Sequence, residues 1–337
     1  MQAWEIVSDA GVDGLALNDQ PMAEPGPGQV LIKVHASSIN YRDLTTIEDP
    51  VSRNLAYPTI PNSDAAGEVV ALGDGVEGLT VGDRVASCFF EDWPAGPISA
   101  AAMASALGGA RPGVLAEHVV LKAHGVVPIP HHLSWQHAAT LPCAGLTAWH
   151  ALTEPHAVAA GETVLLLGTG GVSVFAQQFC RIMGARTIVT SSSDAKLERM
   201  RALGAAETIN YRETPDWETK VLELTDGLGV DRVVEVGGPG TMEKSIAAVR
   251  VGGHIALIGV LTGGGGTIAP IGIMRKSITV RGIYVGSRQM FLDMNKAITQ
   301  HGLEPVIDDA FAFDDARDAY HRMRSAAHFG KLVIDVQ

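Results

Sequence analysis

A glycine-rich turn is where this sequence first points to chemistry. The apolar run Thr163 to Leu167 breaks at Gly168-Thr169-Gly170-Gly171, and Phe175, Phe179 and Ile182 then recur at helical spacing after Val172 and Ser173. The order strand, glycine turn, helix aims backbone N–H groups and a helix dipole at an anion, as in the pyrophosphate seat of a dinucleotide. One glycine lets the chain turn sharply off the strand. Another lets the backbone approach phosphate with no Cβ in the way. Ser173 stands where a third glycine is usual, so the turn alone also reads as an ordinary strand-to-helix connection.

The elements around the turn favour the nucleotide reading. Strands are expected at Thr163–Leu167, Arg186–Thr190, Thr208–Asn210, Arg232–Val236, His254–Ile258 and Ile278–Tyr284. A helix capped by Ser193 or Asp194 should stop before Gly204. Six strands joined by crossover helices predict an α/β, doubly wound parallel sheet.

The first 125 or so residues read differently. Val30–Ala36, Gly67–Leu72 and the turn-and-strand Val81–Val85 are short and closely spaced, which predicts a β-rich, barrel-like domain. Residues 134–154 look helical, with Pro142 and Gly145 interrupting the pattern. Phe89 to Gly113, with an alanine-rich centre between two irregular flanks, reads equally as a lid over a cleft or as a surface excursion. The tail should supply amphipathic helices and a last strand, Lys331–Val336, folded back onto the first domain. The expected division is residues 1–127 with 291–337 as the substrate domain, and 128–290 as the dinucleotide domain.

A chain of 337 residues is long for one core, which agrees with two domains. The net charge of −12 and the lack of a basic patch disfavour a nucleic-acid partner. No apolar stretch is long enough to span a bilayer, and the first residues lack a basic segment followed by an apolar core. Cys88, Cys143 and Cys180 are odd in number and far apart, so they form no disulfide framework and suit a reducing cytoplasm.

With these features in place, nearly the whole chain resembles the medium-chain dehydrogenase/reductase superfamily, and within it the zinc-independent, quinone oxidoreductase-like branch. The markers are Asn40-Tyr41-Arg42-Asp43, Asn62-Ser63-Asp64-Ala65-Ala66-Gly67, Val81-Gly82-Asp83-Arg84-Val85, Leu141 to Trp149, the glycine turn, and Gly252-Gly253-His254 before Ile258-Gly259. The resemblance implies a GroES-like catalytic domain beside a Rossmann domain. Zinc-dependent relatives carry a Cys in the segment matching Asn40–Asp43 and a His-Glu pair in the one matching Asn62–Asp64. Both are absent here, as is a cysteine-rich structural lobe, so no metal is expected. The pair His131-His132 lies beside prolines in an expected surface turn.

NAD enzymes of this fold place an acid about 20 residues past the glycine turn, on the ribose 2′-hydroxyl. Here the second strand ends in Thr190-Ser191-Ser192-Ser193, and the nearby Asp194 reads as a helix cap. Small hydroxyl residues leave room for a 2′-phosphate and can donate to it. By resemblance Lys196 and Tyr211 contact that phosphate, which points to NADP(H). The resemblance also assigns cofactor contacts to Asp43, Thr147, Gly168, Thr169, Gly170, Gly171, Val172, Ser191, Ser192 and Gly237. Gly259-Val260-Leu261 after the fifth strand and Tyr284-Val285 after the sixth should border the nicotinamide.

Without a metal, the acceptor oxygen must be polarised by the protein. Asn40 and Tyr41 are the candidates by resemblance. An amide and a phenol can each donate a hydrogen bond, and Tyr41 also reads as a plain cleft-wall residue. The implied reaction is NADPH-dependent reduction of a conjugated carbonyl: a quinone, enone or enal. A ketone/alcohol oxidoreductase with the same cofactor, and an NADPH-binding structural or sensory protein, stand as alternatives. The sixth strand would be a sheet edge, which in relatives pairs two subunits, so a homodimer is expected.

Overall fold

The computed structural model describes residues 1–336, which divide into two compact units, residues 1–146 with 285–336, and residues 147–284. In the first unit β1 (Gln2–Ile6) and β2 (Leu15–Asp19) form an antiparallel pair. The remaining strands are β3 (Gln29–Ile39), β4 (Asp64–Leu72), β5 (Arg84–Ser87), β6 (His118–Lys122) and β7 (Val126–Pro128). Helices α1 (Tyr41–Glu48), α2 (Ala100–Met103) and α3 (Trp135–Ala139) lie between and after them.

The long strand β3 organises this unit. It pairs with β4 along one edge, and along the other first with β6, through Gln29–Lys33, and then with a tail strand, through Ala36–Ile39. Register shifts at Leu31/Ile32 and Val34/Ala36 bend it, so that one strand serves two neighbours in turn. The outcome is the β-rich, barrel-like arrangement expected. Its core gathers Trp4, Ile32, Val34, Ile39, Leu44, Ile47, Leu115 and Leu332.

In the second unit α4 (Leu146–Thr153) precedes β8 (Thr163–Leu167), α5 (Gly171–Met183), β9 (Arg186–Ser191), α6 (Asp194–Ala202) and β10 (Glu207–Asn210). Then follow α7 (Trp217–Glu223), β11 (Val230–Glu235), α8 (Pro239–Ala248), β12 (Val249–Leu257), α9 (Pro270–Arg275) and β13 (Thr279–Gly282). All pairings are parallel, in the order β10-β9-β8-β11-β12-β13. This is the doubly wound sheet predicted. Val164 to Leu167 are buried as a continuous run because a central parallel strand is covered on both faces.

The tail returns to the first unit through α10 (Arg288–His301), β14 (Ile307–Ala312), α11 (Ala316–Arg324) and β15 (Lys331–Asp335). The unit limits differ from the expected 128 and 290. Residues 128–146 belong with the first unit because α3 packs on β3, β4 and β15, with Trp135 stacked on His35 at 4.5 Å and under the Arg84 guanidinium. The Pro142–Gly145 interruption of the helical pattern is a single π-turn over Leu141–Gly145.

Residues 89–113 are neither a loose lid nor a plain surface excursion. Phe89, Phe90 and Trp93 are buried, and Glu91 accepts the Lys122 amide at 2.8 Å and pairs with Arg111 at 3.3 Å. Residues 94–101 form an exposed tip, and Met103, Ala104, Ala110 and Pro112 are exposed as well. Alternating large apolar and small residues hide this packing in the sequence, because the partners come from distant strands.

Candidate functional site

In the second unit the glycine turn is built as the sequence implies. Gly168 takes φ +74°, a left-handed conformation that turns the chain off β8, and its amide donates to the Thr190 carbonyl at 2.9 Å. Gly170 caps α5 with extended backbone, and a Cβ built there meets nothing within 4 Å. Fold packing therefore does not require glycine at 170, whereas a ligand lying on the turn would. The first turn of α5, which includes Gly171 and Val172, holds no acidic residue, so its helix dipole is uncompensated for an incoming anion. Thr169 is buried beside it. Ser173, in place of the third glycine, donates its hydroxyl to the Leu167 carbonyl at 2.6 Å and ties helix to strand.

At the end of β9 the chain brings together residues that sequence separates. Tyr211 donates its amide to the Ser191 carbonyl at 3.0 Å, and its ring is 42% exposed. Ser193 is the N-cap of α6, its hydroxyl accepting the Lys196 amide at 3.4 Å. Ser191, Ser192, Lys196 and Tyr211 therefore border one end of the sheet. Asp194, the acid nearest the end of β9 in sequence, is the first residue of α6, and its carboxylate accepts Asn210 Nδ2 at 2.9 Å. These residues fit a 2′-phosphate: hydroxyls, a phenol and an ammonium, with the nearby acid turned to an internal partner.

Gly237 already has an internal partner. Its amide donates at 2.7 Å to Glu235, whose carboxylate also takes the Gly238 amide at 3.0 Å and the hydroxyls of Thr241 and Ser245. The N-terminus of α8 is thus already filled by an anion of the chain. Gly259 packs under Val236, where a Cβ would come within 2.3 Å of its carbonyl oxygen, so this glycine answers first to strand packing. Val260, Leu261 and Tyr284 are exposed, while Thr147 and Val285 are buried. Val285 also adopts φ +57°, an uncommon conformation for a β-branched residue.

In the first unit the expected reaction residues sit at the β3–α1 turn. Asn40 is the N-cap of α1, and its amide donates to Asp43 Oδ2 at 2.8 Å. Tyr41, next in sequence, is 48% exposed. Asp43 is buried, with Arg42 donating to its other oxygen at 3.1 Å and to the Leu107 carbonyl at 2.7 Å. Burial raises the Asp43 pKa, and the Arg42 guanidinium opposes that shift. Both Asp43 oxygens are thus engaged by the protein, which makes it a local organiser of the turn.

Behind this turn lies a buried polar cluster. Asp64 accepts the hydroxyls of Ser63 at 2.6 Å and Ser38 at 3.2 Å, and the Cys143 amide at 3.2 Å, delivered by the π-turn. Lys331 donates to the Ile39 carbonyl and to Asn40 Oδ1, each at 2.6 Å. Burial lowers its pKa, opposed by Asp64 and Asp43, and burial pushes the Cys143 thiol up. Two buried acids thus meet two cations, Arg42 and Lys331. Among the described residues no three or more His, Cys, Asp or Glu side chains converge as a metal site. Sequence reading missed Lys331 and Glu235; the signal was a charged residue directly flanking a short apolar run, Leu332–Ile334 in β15 and Val233–Val234 in β11.

One unit is a doubly wound sheet with a glycine-turn helix and the other a β-rich unit carrying a polar turn, the two parts of a known class of oxidoreductase. Family models agree: one described as an alcohol dehydrogenase GroES-like domain matches residues 26–131, and one described as a zinc-binding dehydrogenase matches residues 171–300. The chain belongs to the medium-chain dehydrogenase/reductase family. It is 44% identical over 316 residues to a zinc-type alcohol dehydrogenase-like protein of Schizosaccharomyces pombe, spanning 92% of this chain and 91% of the relative. A solved NAD-dependent alcohol dehydrogenase is 32% identical with a TM-score of 0.91, each chain covered over 100%. A mycobacterial protein solved in complex with NADPH is 26% identical with a TM-score of 0.83, again over 100% of both chains.

Proposed function

We propose that the protein is an NADPH-dependent, zinc-independent reductase of a conjugated carbonyl, of the quinone oxidoreductase type. The observation that carries the cofactor choice is the end of β9. Asp194 there is held by Asn210, and Ser191, Ser192, Lys196 and Tyr211 are the residues that would take a 2′-phosphate. The mycobacterial NADPH complex supports this choice. The Lys331 ammonium supports the zinc-independent reading, since a fixed positive charge beside Asn40 and Asp64 repels a divalent cation.

When bound, the reduced nicotinamide supplies the hydride. The chain supplies orientation and charge stabilisation. Backbone amides of the α5 N-terminus hold the pyrophosphate. Asn40 and Tyr41 donate hydrogen bonds to the substrate oxygen as negative charge develops on it, and Tyr41, on the exposed side, is placed to pass a proton to the product. Saturated alcohol oxidation needs a general base, and the acids at and behind this turn, Asp43 and Asp64, are buried and already bonded to internal donors on both oxygens.

Oxidation of NADPH and NADH with a panel of quinones, enones and ketones, with product analysis, tests the proposal. A saturated ketone formed from an enone, with NADPH preferred, is the expected result. An allylic alcohol product, a preference for NADH, or loss of activity with a chelator would each overturn the corresponding part. Tight NADPH binding with no turnover across the panel would make it a binding protein. The free edge β13 is the surface through which a homodimer is expected, and sedimentation of a Val280→Pro variant as a monomer would accord with that.

A further inference from the structure

Lys331 opens β15 and is 3% exposed. Its ammonium bonds two successive residues, Ile39 at the end of β3 and Asn40 at the cap of α1, and so grips the turn from which Tyr41 projects. An ammonium has only donors. Asn40 must therefore turn its oxygen to Lys331, and its Nδ2 group must face the other way. That Nδ2 is buried and has no hydrogen-bond partner, although Asn40 keeps 7% of its surface exposed. Every neighbouring polar group of the turn is paired: the Asn40 amide, both Asp43 oxygens and both Asp64 oxygens. One unpaired donor in an otherwise satisfied cluster calls for a partner from outside the chain.

We propose that Lys331 is a positioning residue that acts through Asn40, locking its carboxamide so that Nδ2 is held ready to donate to the substrate oxygen. In this role Lys331 does not touch substrate: it is 3% exposed, two of its three donors are spent inside the fold, and Asp43 and Asp64 balance its charge. The proposal builds on the reductase reading above, in which Asn40 meets the carbonyl.

A double-mutant cycle with Lys331→Met and Asn40→Ala reads the coupling in kcat and KM. Each single change should lower kcat/KM by about 10²-fold, mostly in kcat, and the double should be little worse than either single. Lys331→Arg, which also has only donors, should recover much of the loss. Losses that multiply to about 10⁴-fold, or full activity in Lys331→Met, would overturn the proposal. Because Lys331→Met strips two buried acids of a counter-charge, the cycle is repeated on an Asp64→Asn background, which keeps the cluster closer to neutral. An activity-independent readout comes from the ¹⁵N-labelled side-chain amide of Asn40. It should give one rigid pair of proton signals in the parent and Lys331→Arg, and an averaged or second set in Lys331→Met. A mobile amide in the parent overturns the positioning role whatever the activity; a rigid amide in a protein that reduces no conjugated carbonyl removes the reductase reading and, with it, the substrate oxygen as the partner of Nδ2.

Discussion

Glu235 accepts the Gly237 amide at 2.7 Å, so the second glycine turn of the sheet is closed by the chain's own carboxylate. The same Oε1 takes the Gly238 amide and the Thr241 hydroxyl, and Oε2 takes Ser245. This anion occupies the seat that a helix N-terminus offers to phosphate. Of the two glycine turns, at α5 and at α8, the one at α5 is left for a ligand.

Glu235→Ala should therefore destabilise the fold by roughly 2–4 kcal/mol, because several buried donors lose their acceptor. Urea unfolding measures it. Stability unchanged from the parent would show that the carboxylate does not organise α8.

Gly170→Ala separates fold from ligand. Its backbone, φ −79° and ψ −178°, suits any residue, and the added Cβ meets nothing. Stability of the free protein should stay within about 0.5 kcal/mol of the parent. NADPH affinity, followed by fluorescence titration, should fall about tenfold or more, since the methyl group stands where the pyrophosphate must approach. Unchanged affinity would remove this turn from the cofactor site.

Lys196→Ala and Tyr211→Phe address the 2′-phosphate. Lys196→Ala should raise the Kd for NADPH about tenfold while leaving NADH nearly unaffected, and the difference should shrink at high salt. Tyr211→Phe should act in the same direction more weakly. Equal weakening of both cofactors would mean that these residues support the fold and do not read the phosphate.

His254 predicts a pH dependence of stability. It lies beside Arg232 in the sheet register, is 4% exposed, and neither ring nitrogen has a partner. Burial pushes its pKa down to about 4, helped by the nearby charges of Arg232, His156 and Arg281. The unfolded chain takes up a proton near pH ~6.5, which the folded chain refuses until about pH 4. Stability is thus fully present above ~6.5 and declines as the pH falls toward 4, by up to about 3 kcal/mol from this group. His254→Leu should flatten that part of the profile in urea unfolding at pH 7, 5.5 and ~4.5. A slope identical to the parent would assign the acid sensitivity to other groups.

Much of the second unit was legible in sequence because each element carries its own local signal. The run Val164–Leu167 is apolar on both faces, Gly168 must turn it, and Ser193 caps the next helix, so each limit follows from nearby residues. Limits blurred where pairing decided them. β12 begins at Val249 and not at His254, because Val249 pairs with Val230 ahead of a register shift. The 89–113 segment was opaque for the same reason: Glu91 finds its partners at Arg111 and Lys122, which no local pattern announces.

By itself the sequence determined the class of each unit, the glycine turn at Gly168–Gly171 and the acid-poor end of β9, since these depend on residues within a few positions of one another. The tertiary structure decided which polar groups remain available. It turned Asp194 to Asn210, Glu235 to the α8 N-terminus, and Lys331, 291 positions from Asn40, to that residue's side-chain Oδ1. Buried hydrogen bonds and charges must be satisfied in three dimensions, and their partners are chosen by the sheet that brings β15 beside β3 and not by distance along the chain.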